Sequence, residues 1–186
     1  MRAISLIAVA WLSLAFGADA QNVGWRDQHG NPAPDSDAQK SKDGFGGWLL
    51  VTDDPDWEAK WSTPEKEIPN FHEAQSVRVG QTVVALIFIS NPTKDASESV
   101  NVTCDLRLDR PDGSRSVDQS DVPCMVGHLP GDPLSLYLAD PVMGFLGEPS
   151  DPVGKWTFHV TLKDGIRRTS LELQSWRSQP VGATQA

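Results

Sequence analysis

Apolar side chains occupy both alternating sets of positions in residues 80–90, the most apolar stretch after the N-terminus. The stretch is rich in β-branched residues and turn residues flank it, so it is predicted to be a strand. Because both of its faces are apolar, we expect the strand to be central and covered on both sides. The two faces are Val83, Ala85, Ile87 and Ile89 on one side and Val84, Leu86 and Phe88 on the other.

Further strands are predicted before and after this central one. Residues 45–52 are apolar, and the adjacent Gly46 and Gly47 indicate a bulge or a close backbone approach. Residues 100–108 alternate apolar and polar side chains, which is typical of a half-buried antiparallel strand with Cys104 on its core face. Shorter strands are expected at 122–126, 134–138 and 142–146.

A short helix is predicted between residues 45–52 and the central strand. Asp54 can cap this helix and Pro55 can occupy its first position. Trp57 and Trp61 then lie four residues apart on one helical face. We expect this helix to cover the second face of the central strand.

The last part of the chain is predicted to form a closing β-hairpin. Apolar and polar side chains alternate in residues 156–162, and Asp164-Gly165 favours a two-residue type I′ turn. The alternation places His159 on the polar face opposite Ser170, where we expect it in water. The turn sets the expected pairing of Lys163 with Ile166, Val160 with Thr169, Phe158 with Leu171 and Trp156 with Leu173.

Short strands separated by turn residues, in a chain with 15 glycines and 14 prolines, indicate an all-β fold: an antiparallel β-sandwich with one short helix. Residues 151–160, Asp-Pro-Val-Gly-Lys-Trp-x-Phe-x-Val, followed by Asp164-Gly165, resemble the last hairpin of many secreted bacterial immunoglobulin-like modules. The whole chain also resembles bacterial periplasmic proteins with a signal peptide, an early Gly-Trp-Leu strand and this ending. The resemblance implies an immunoglobulin-like β-sandwich and identifies no site residue, since unrelated functions share this architecture.

The N-terminus has the form of a secretory signal. Residues 1–20 contain a basic residue, an apolar segment and small residues at the cleavage positions, so the mature chain is expected to begin at Gln21. We therefore expect a periplasmic or secreted protein with no membrane insertion after cleavage. The polar residues 21–44 are predicted to be a flexible, disordered N-terminal arm, 45–178 a single domain, and 179–186 a frayed tail.

Charge and cysteine content narrow the function classes. The net charge of -9 at pH 7 argues against nucleic acid or an anionic membrane surface as a partner. Cys104 and Cys124 are the only cysteines, and in an oxidising compartment they are expected to form one disulfide. A two-cysteine metal site would need further ligands at suitable spacing.

The chain carries no common catalytic motif: it has no Gly-x-Ser-x-Gly, His-Glu-x-x-His, Walker or dinucleotide glycine sequence. A soft metal site at Met125 and His128 would need a further His or Met nearby. Calcium sites at the acidic clusters would need converging oxygens, whereas aspartates before Pro or Gly are typical of turns. We therefore expect no enzyme, no cofactor and no metal. The residues considered for catalytic or metal-binding roles, and expected instead to be surface and turn residues, are His29, His72, His128 and His159, and the clusters Asp53/Asp54/Asp56 and Asp109/Asp112/Asp118/Asp121.

Trp48, Trp57 and Trp61 are close together in sequence and allow two interpretations. They are expected to form a lid over the central strand, because burying an aromatic side chain removes about 150–250 Å² from water. Alternatively they form a sugar-binding platform. The function expected first is a non-catalytic binding or accessory module with a protein or glycan partner. The rival is a carbohydrate-binding module built on these three residues, and a periplasmic hydrolase or metal carrier comes third.

Overall fold

The computed structural model of the chain describes residues 24–26, 31–62 and 69–179. The predicted signal peptide and most of the predicted tail lie outside these ranges. Across the described residues, none of the helical structure has the length and apolarity that crossing a membrane requires. The described elements are β1 Gln39–Lys42, β2 Phe45–Thr52, α1 Trp57–Ser62, β3 Thr82–Ser90, β4 Ser99–Asp109, β5 Arg115–His128, β6 Leu136–Leu138, β7 Met143–Leu146, β8 Gly154–Asp164 and β9 Thr169–Gln179.

The strands form two antiparallel sheets. The first has the order β1-β2-β3-β6, with β7 also paired to β3, and the second has the order β5-β4-β8-β9. With α1 as the single helix among the described residues, the predicted all-β fold is confirmed. The central position of β3 is confirmed as well, since β2 lies on one side and β6 and β7 lie on the other.

One hydrophobic core lies between the two sheets. Alternate side chains of β3 and β2 enter it from the first sheet, and alternate side chains of β4, β8 and β9 enter it from the second. The predicted faces of β3 are confirmed, because one set of its residues joins this core and the other set lies in a separate cluster on the outer side. The set of β3 residues that enters the core between the sheets consists of Val83, Ala85, Ile87 and Ile89.

The outer face of β3 is covered by aromatic side chains. Trp57 and Trp61, on α1, pack against the cluster that contains the fully buried Leu86 and Phe88. The helix begins at Trp57, two residues later than the predicted first position at Pro55. The start is later because the first helical hydrogen bond runs from the N–H of Lys60 to the carbonyl of Asp56.

The N-terminal segment differs from the flexible arm predicted for residues 21–44. Within it, Gln39–Lys42 form β1 and pair with β2 along its first four residues. The indole N–H of Trp25 donates a hydrogen bond to the carbonyl of Lys40, and its ring lies against Gly46. The polar composition of the segment hid this strand, because β1 is an edge strand and its side chains need not be apolar.

The register of the closing hairpin also differs from the prediction. Residue 164 pairs with Thr169 across a four-residue loop, so Val160 lies opposite Leu173 and His159 lies opposite Gln174 rather than Ser170. The two-residue turn was wrong because Gly165 does not adopt a positive φ; Arg168 does, at 61°. The shift is an even number of residues, so Trp156, Phe158 and Val160 are nevertheless buried as predicted.

The loop of this hairpin is organised by one buried carboxylate. Asp164 is 1% exposed, and its Oδ1 accepts hydrogen bonds from the backbone N–H groups of Ile166 and Arg167. Its Oδ2 accepts a third from the backbone N–H of Thr93, at 2.8 Å, in the connection after β3. The aspartate therefore fixes the wider loop and ties it to the first sheet.

The predicted disulfide between Cys104 and Cys124 is confirmed, with a Cα–Cα distance of 5.8 Å that lies in the range such bonds require. Cys104 faces the core from β4, as the alternation predicted. Cys124 lies in β5 where the pairing shifts, because Thr103 is opposite Pro123 while Val102 is opposite Met125. The bond therefore links neighbouring strands of one sheet at a β-bulge.

Candidate functional site

The structure brings Trp48, Trp57 and Trp61 together on the outer side of the first sheet. The ring centroid of Phe88 lies 5.0 Å from that of Trp48 and 5.3 Å from that of Trp61. All three tryptophans are half-buried, and Phe71 adds a further ring 6.1 Å from Phe88. This is the packing that a lid over the central strand requires.

The histidines of the described residues are separate from one another. Exposed His72 lies 2.6 Å from Oδ1 of Asp53, and the hydrogen bond to that carboxylate raises the histidine pKa. His128 is exposed, and His159 lies on the opposite sheet. Within residues 24–26, 31–62 and 69–179, no three His, Cys, Asp or Glu side chains are arranged to hold a metal ion. The predicted candidate His29 lies outside the described residues.

A polar groove of about 300 Å³ crosses the outer side of the second sheet. Residues of all four strands line it. One row of paired residues runs across the sheet at this point: Asp118 of β5, Arg107 of β4, His159 of β8 and Gln174 of β9. We call this outer side, with the groove, Gln174 and Trp176, the polar face. The polar residues that line the groove are Asp105, Arg107, Asp118, Gln119, Ser120, His159, Thr161 and Glu172.

Alternation along three strands produces the polar face. Leu106, Val160 and Leu173 point into the core, so their sequence neighbours on each strand point outward. In a second row across the sheet, Thr161 therefore lies between Asp105 and Glu172. The sequence places hydrogen-bonding side chains at nearly all of these outward positions.

Most of the charges on the polar face are paired. Asp109 lies between two bases, with its Oδ1 3.1 Å from Nε of Arg107 and its Oδ2 3.1 Å from Nε2 of His159. Nζ of Lys163 donates to Asp105 at 2.6 Å and to Asp121 at 2.9 Å. Burial raises the pKa of Asp105, but the hydrogen bonds from Lys163 and from the backbone N–H of Asp121 outweigh burial and leave that pKa below its usual value.

His159 is the titratable base of the groove. Its side chain is 26% exposed, so it lies on the outer face as predicted but is less exposed to solvent than expected. Burial and the neighbouring charge of Arg107 lower its pKa from 6.5, against the opposing effect of Asp109. At neutral pH the imidazole is therefore uncharged, with one ring nitrogen that donates and one that accepts a hydrogen bond.

Several side chains of the polar face keep unused hydrogen-bonding capacity. Nε of Arg107 lies within ion-pair distance of Asp109 but is buried and makes no hydrogen bond, while the Arg107 side chain as a whole is 38% exposed. Within the part of the chain that the structure describes, the side chains of Thr161, Glu172 and Gln174 have no hydrogen-bond partner. The groove thus offers both donors and acceptors to a molecule from solution.

Trp176 lies on the polar face, four residues beyond Glu172 on the same side of β9, and is 49% exposed, unlike the other tryptophans of the described residues. Nζ of Lys155 lies 5.3 Å from the centre of its ring. Trp176 is not among the predicted site residues, although the alternation of β9 marks it. Leu171 and Leu173 point inward, so Trp176 must point outward. A large apolar ring at an outward strand position is the signal that was available.

No protein-family model matches the chain, and no curated protein matches it significantly. The fold is similar to a solved chain from a study of glycolipid glycan hydrolysis by a family 123 glycoside hydrolase from Clostridium perfringens. The two share 10% sequence identity with a TM-score of 0.41. The match covers 75% of this chain and 28% of the hydrolase chain.

Proposed function

We propose that this protein is a non-catalytic binding or accessory domain, and that its polar face binds a macromolecular partner. The observation that carries the proposal is the polar groove across four strands, together with the half-exposed indole of Trp176 on the same face of the sheet. Exposed aromatic rings beside unsatisfied polar groups are the features from which proteins build recognition surfaces.

We also propose that the two sheets form an immunoglobulin-like β-sandwich. Labelled in chain order, β2, β3 and β7 correspond to strands A, B and E of one sheet of that architecture, and β5, β4, β8 and β9 correspond to C′, C, F and G of the other. In that correspondence the disulfide joins C to C′ within a sheet, unlike the bond between sheets of antibody domains. In such folds one sheet face is commonly free for binding.

Export to the periplasm or beyond completes the proposal. The disulfide supports it, because such bonds persist in oxidising compartments. The signal-like N-terminus supports it independently. In these compartments the partner would be an extracytoplasmic protein or glycan.

Site-specific photo-crosslinking in cells that produce the protein tests the proposed surface. A benzoylphenylalanine in place of Thr161, in the groove, should give a higher-mass adduct after illumination, because this group reacts with C–H bonds of any bound partner. The adduct should be discrete for a protein partner and heterogeneous in mass for a polysaccharide. The matched control replaces Leu146, which is 51% exposed on the other sheet. Adducts from Leu146 alone, or no adduct from Thr161, would contradict the proposal.

A further inference from the structure

We infer that the ligand of the polar face is an uncharged polysaccharide, with Trp176 as the stacking ring and the groove as the hydrogen-bonding site for its hydroxyl groups. The inference rests on the proposed function, since it names the partner class of the same surface. Three properties of the face lead to it: its charge balance, its hydrogen-bonding capacity and the position of its aromatic ring.

The charge balance disfavours an ionic ligand. The carboxylates of Asp105, Asp109 and Asp118 each lie within 3.1 Å of a basic group on the same sheet. Glu172 is left unpaired within the described residues, so the face has only a small net charge with which to attract a polycation and none to attract a polyanion. The chain as a whole carries a net charge of -9, which further disfavours an anionic polymer. An uncharged polar ligand is the one that such a surface complements.

The same ion pairs disfavour a protein partner. A protein interface of ordinary size would bury them, and taking paired charges out of water costs free energy that their attraction does not always recover. The cores of protein interfaces are accordingly depleted in charged residues. The groove instead stays wet at its edges and can keep these pairs solvated while hydroxyl groups bind between them.

The hydrogen-bonding groups of the groove match hydroxyl groups. A sugar hydroxyl donates one hydrogen bond and accepts others, so it needs donors and acceptors side by side. In the groove, Arg107 supplies donors, Glu172 supplies acceptors, and Thr161 and neutral His159 supply both. Gln174, which pairs with His159 on the polar face, adds a further donor and acceptor. The row that links Arg107, His159 and Gln174 runs across three strands, so an elongated chain can contact all of them.

Trp176 stands at the end of this arrangement. It is two residues from Gln174 on the same face of β9, which places it about 7 Å along the strand from the row of Arg107, His159 and Gln174. The C–H face of a sugar ring is apolar and stacks on aromatic side chains, whereas its hydroxyls point sideways toward polar groups. Lys155, now over the indole, is a flexible side chain that can move aside or hold a hydroxyl.

Affinity gel electrophoresis of the mature protein tests the inference. The probes in the gel are hydroxyethyl cellulose, xylan, galactomannan and dextran, with alginate as an anionic polysaccharide. At least one uncharged polymer should retard the protein. Trp176→Ala should weaken that retardation at least about tenfold, as expected for loss of about 1.4 kcal/mol of stacking. Trp176→Phe should restore part of it.

Matched variants separate the groove from the rest of the surface. Glu172→Ala should weaken retardation, whereas Glu58→Ala on α1 and Leu146→Ala on β7 should leave it unchanged, and melting curves confirm that each variant is folded. The inference is overturned if none of the uncharged polymers retards the protein, if alginate alone does, or if Trp176→Ala binds like the wild type. If no polymer retards the protein but position 161 still crosslinks to a protein, the polar face is a binding surface whose partner is not a polysaccharide. If the protein is not retarded and position 161 gives no adduct, both the inferred ligand and the proposed function are rejected.

Discussion

Gly47 of β2 lies directly against Leu162 of β8 in the opposite sheet. A Cβ atom on Gly47 would be 2.5 Å from Cδ1 of Leu162, and the side chains of Leu171 and Leu173 would also lie within 3.3 Å. The glycine therefore allows the two sheets to approach at this point. The pair Gly46-Gly47 predicted a bulge or a close approach to this strand. The structure shows that the side chains that approach Gly47 are leucines of the closing hairpin.

Gly47→Ala should destabilise the protein by about 1–3 kcal/mol, because a methyl group there overpacks the core. Gly144→Ala is the matched control, since Gly144 also lies in a strand and its Cβ would meet nothing within 4 Å. We expect the control to be neutral or slightly stabilised. Urea unfolding of both variants measures the difference, and equal midpoints would contradict the close approach.

Trp61→Ala should lower the free energy of unfolding by at least about 2 kcal/mol, because the indole covers the outer face of β3 and its removal leaves a cavity beside Phe88. Trp57→Ala should act in the same direction. Trp176→Ala should lower the free energy of unfolding by less than about 1 kcal/mol, because the substitution removes chiefly the contact between the indole and Lys155. Thermal melts compare the three variants, and a stable Trp61→Ala protein would count against the lid.

Asp164→Asn should destabilise the protein by about 2–3 kcal/mol, because it weakens three hydrogen bonds to a buried charged acceptor and turns an amide donor toward backbone N–H groups. Asp118→Asn is the control: its side chain is 52% exposed and forms a surface ion pair with Arg115, so we expect a change within about 0.5 kcal/mol. Chemical denaturation measures both. Similar losses in the two variants would show that Asp164 does not organise the hairpin loop.

Two histidines should give stability effects of opposite sign as the pH falls. The folded-state pKa of His159 lies below 6.5, so the unfolded chain takes up this proton more readily and stability is lost as pH falls through the unfolded pKa toward the folded one. The folded-state pKa of His72 is raised, so its contribution is fully present below the unfolded pKa and is lost as pH rises through the folded pKa.

Melting temperatures at about pH 7.5 and about pH 5.5 check this sign, because the unfolded-state pKa of histidine, about 6.5, lies between these two values. His159→Gln should lose less stability on acidification than the wild type, and His72→Gln should lose more. The reverse order would contradict the environments assigned to the two side chains.

Local sequence pattern was sufficient for the strands that are buried on at least one face. The bounds of β2 match the predicted 45–52, and the alternation of residues 100–108 matches the burial of β4, because each depends on side chains within one strand. Pattern failed for β1, whose polar side chains leave no alternating signal. It also failed for the hairpin register, since the wider loop depends on a hydrogen bond from the distant Thr93 to Asp164.

The candidate site was harder to predict than the fold. The disulfide followed from composition, and the mutual proximity of Trp48, Trp57 and Trp61 followed from sequence. The polar face could not be found in this way, because it depends on which residues of four strands become neighbours. The outward position of Trp176 could be predicted from the alternation of β9 alone, but its proposed role depends on the groove on the same face of the sheet.

The most direct test of the central claim is ¹⁹F NMR of the protein labelled with 5-fluorotryptophan, titrated with the uncharged polysaccharide that retards it most. The variants Trp176→Phe, Trp61→Phe, Trp57→Phe and Trp48→Phe assign the resonances of these four residues, one each. We predict that the polymer shifts or broadens the Trp176 resonance and leaves those of Trp48, Trp57 and Trp61 unchanged. Perturbation of the three packed tryptophans with Trp176 unaffected would place the binding site on the other sheet and contradict the account.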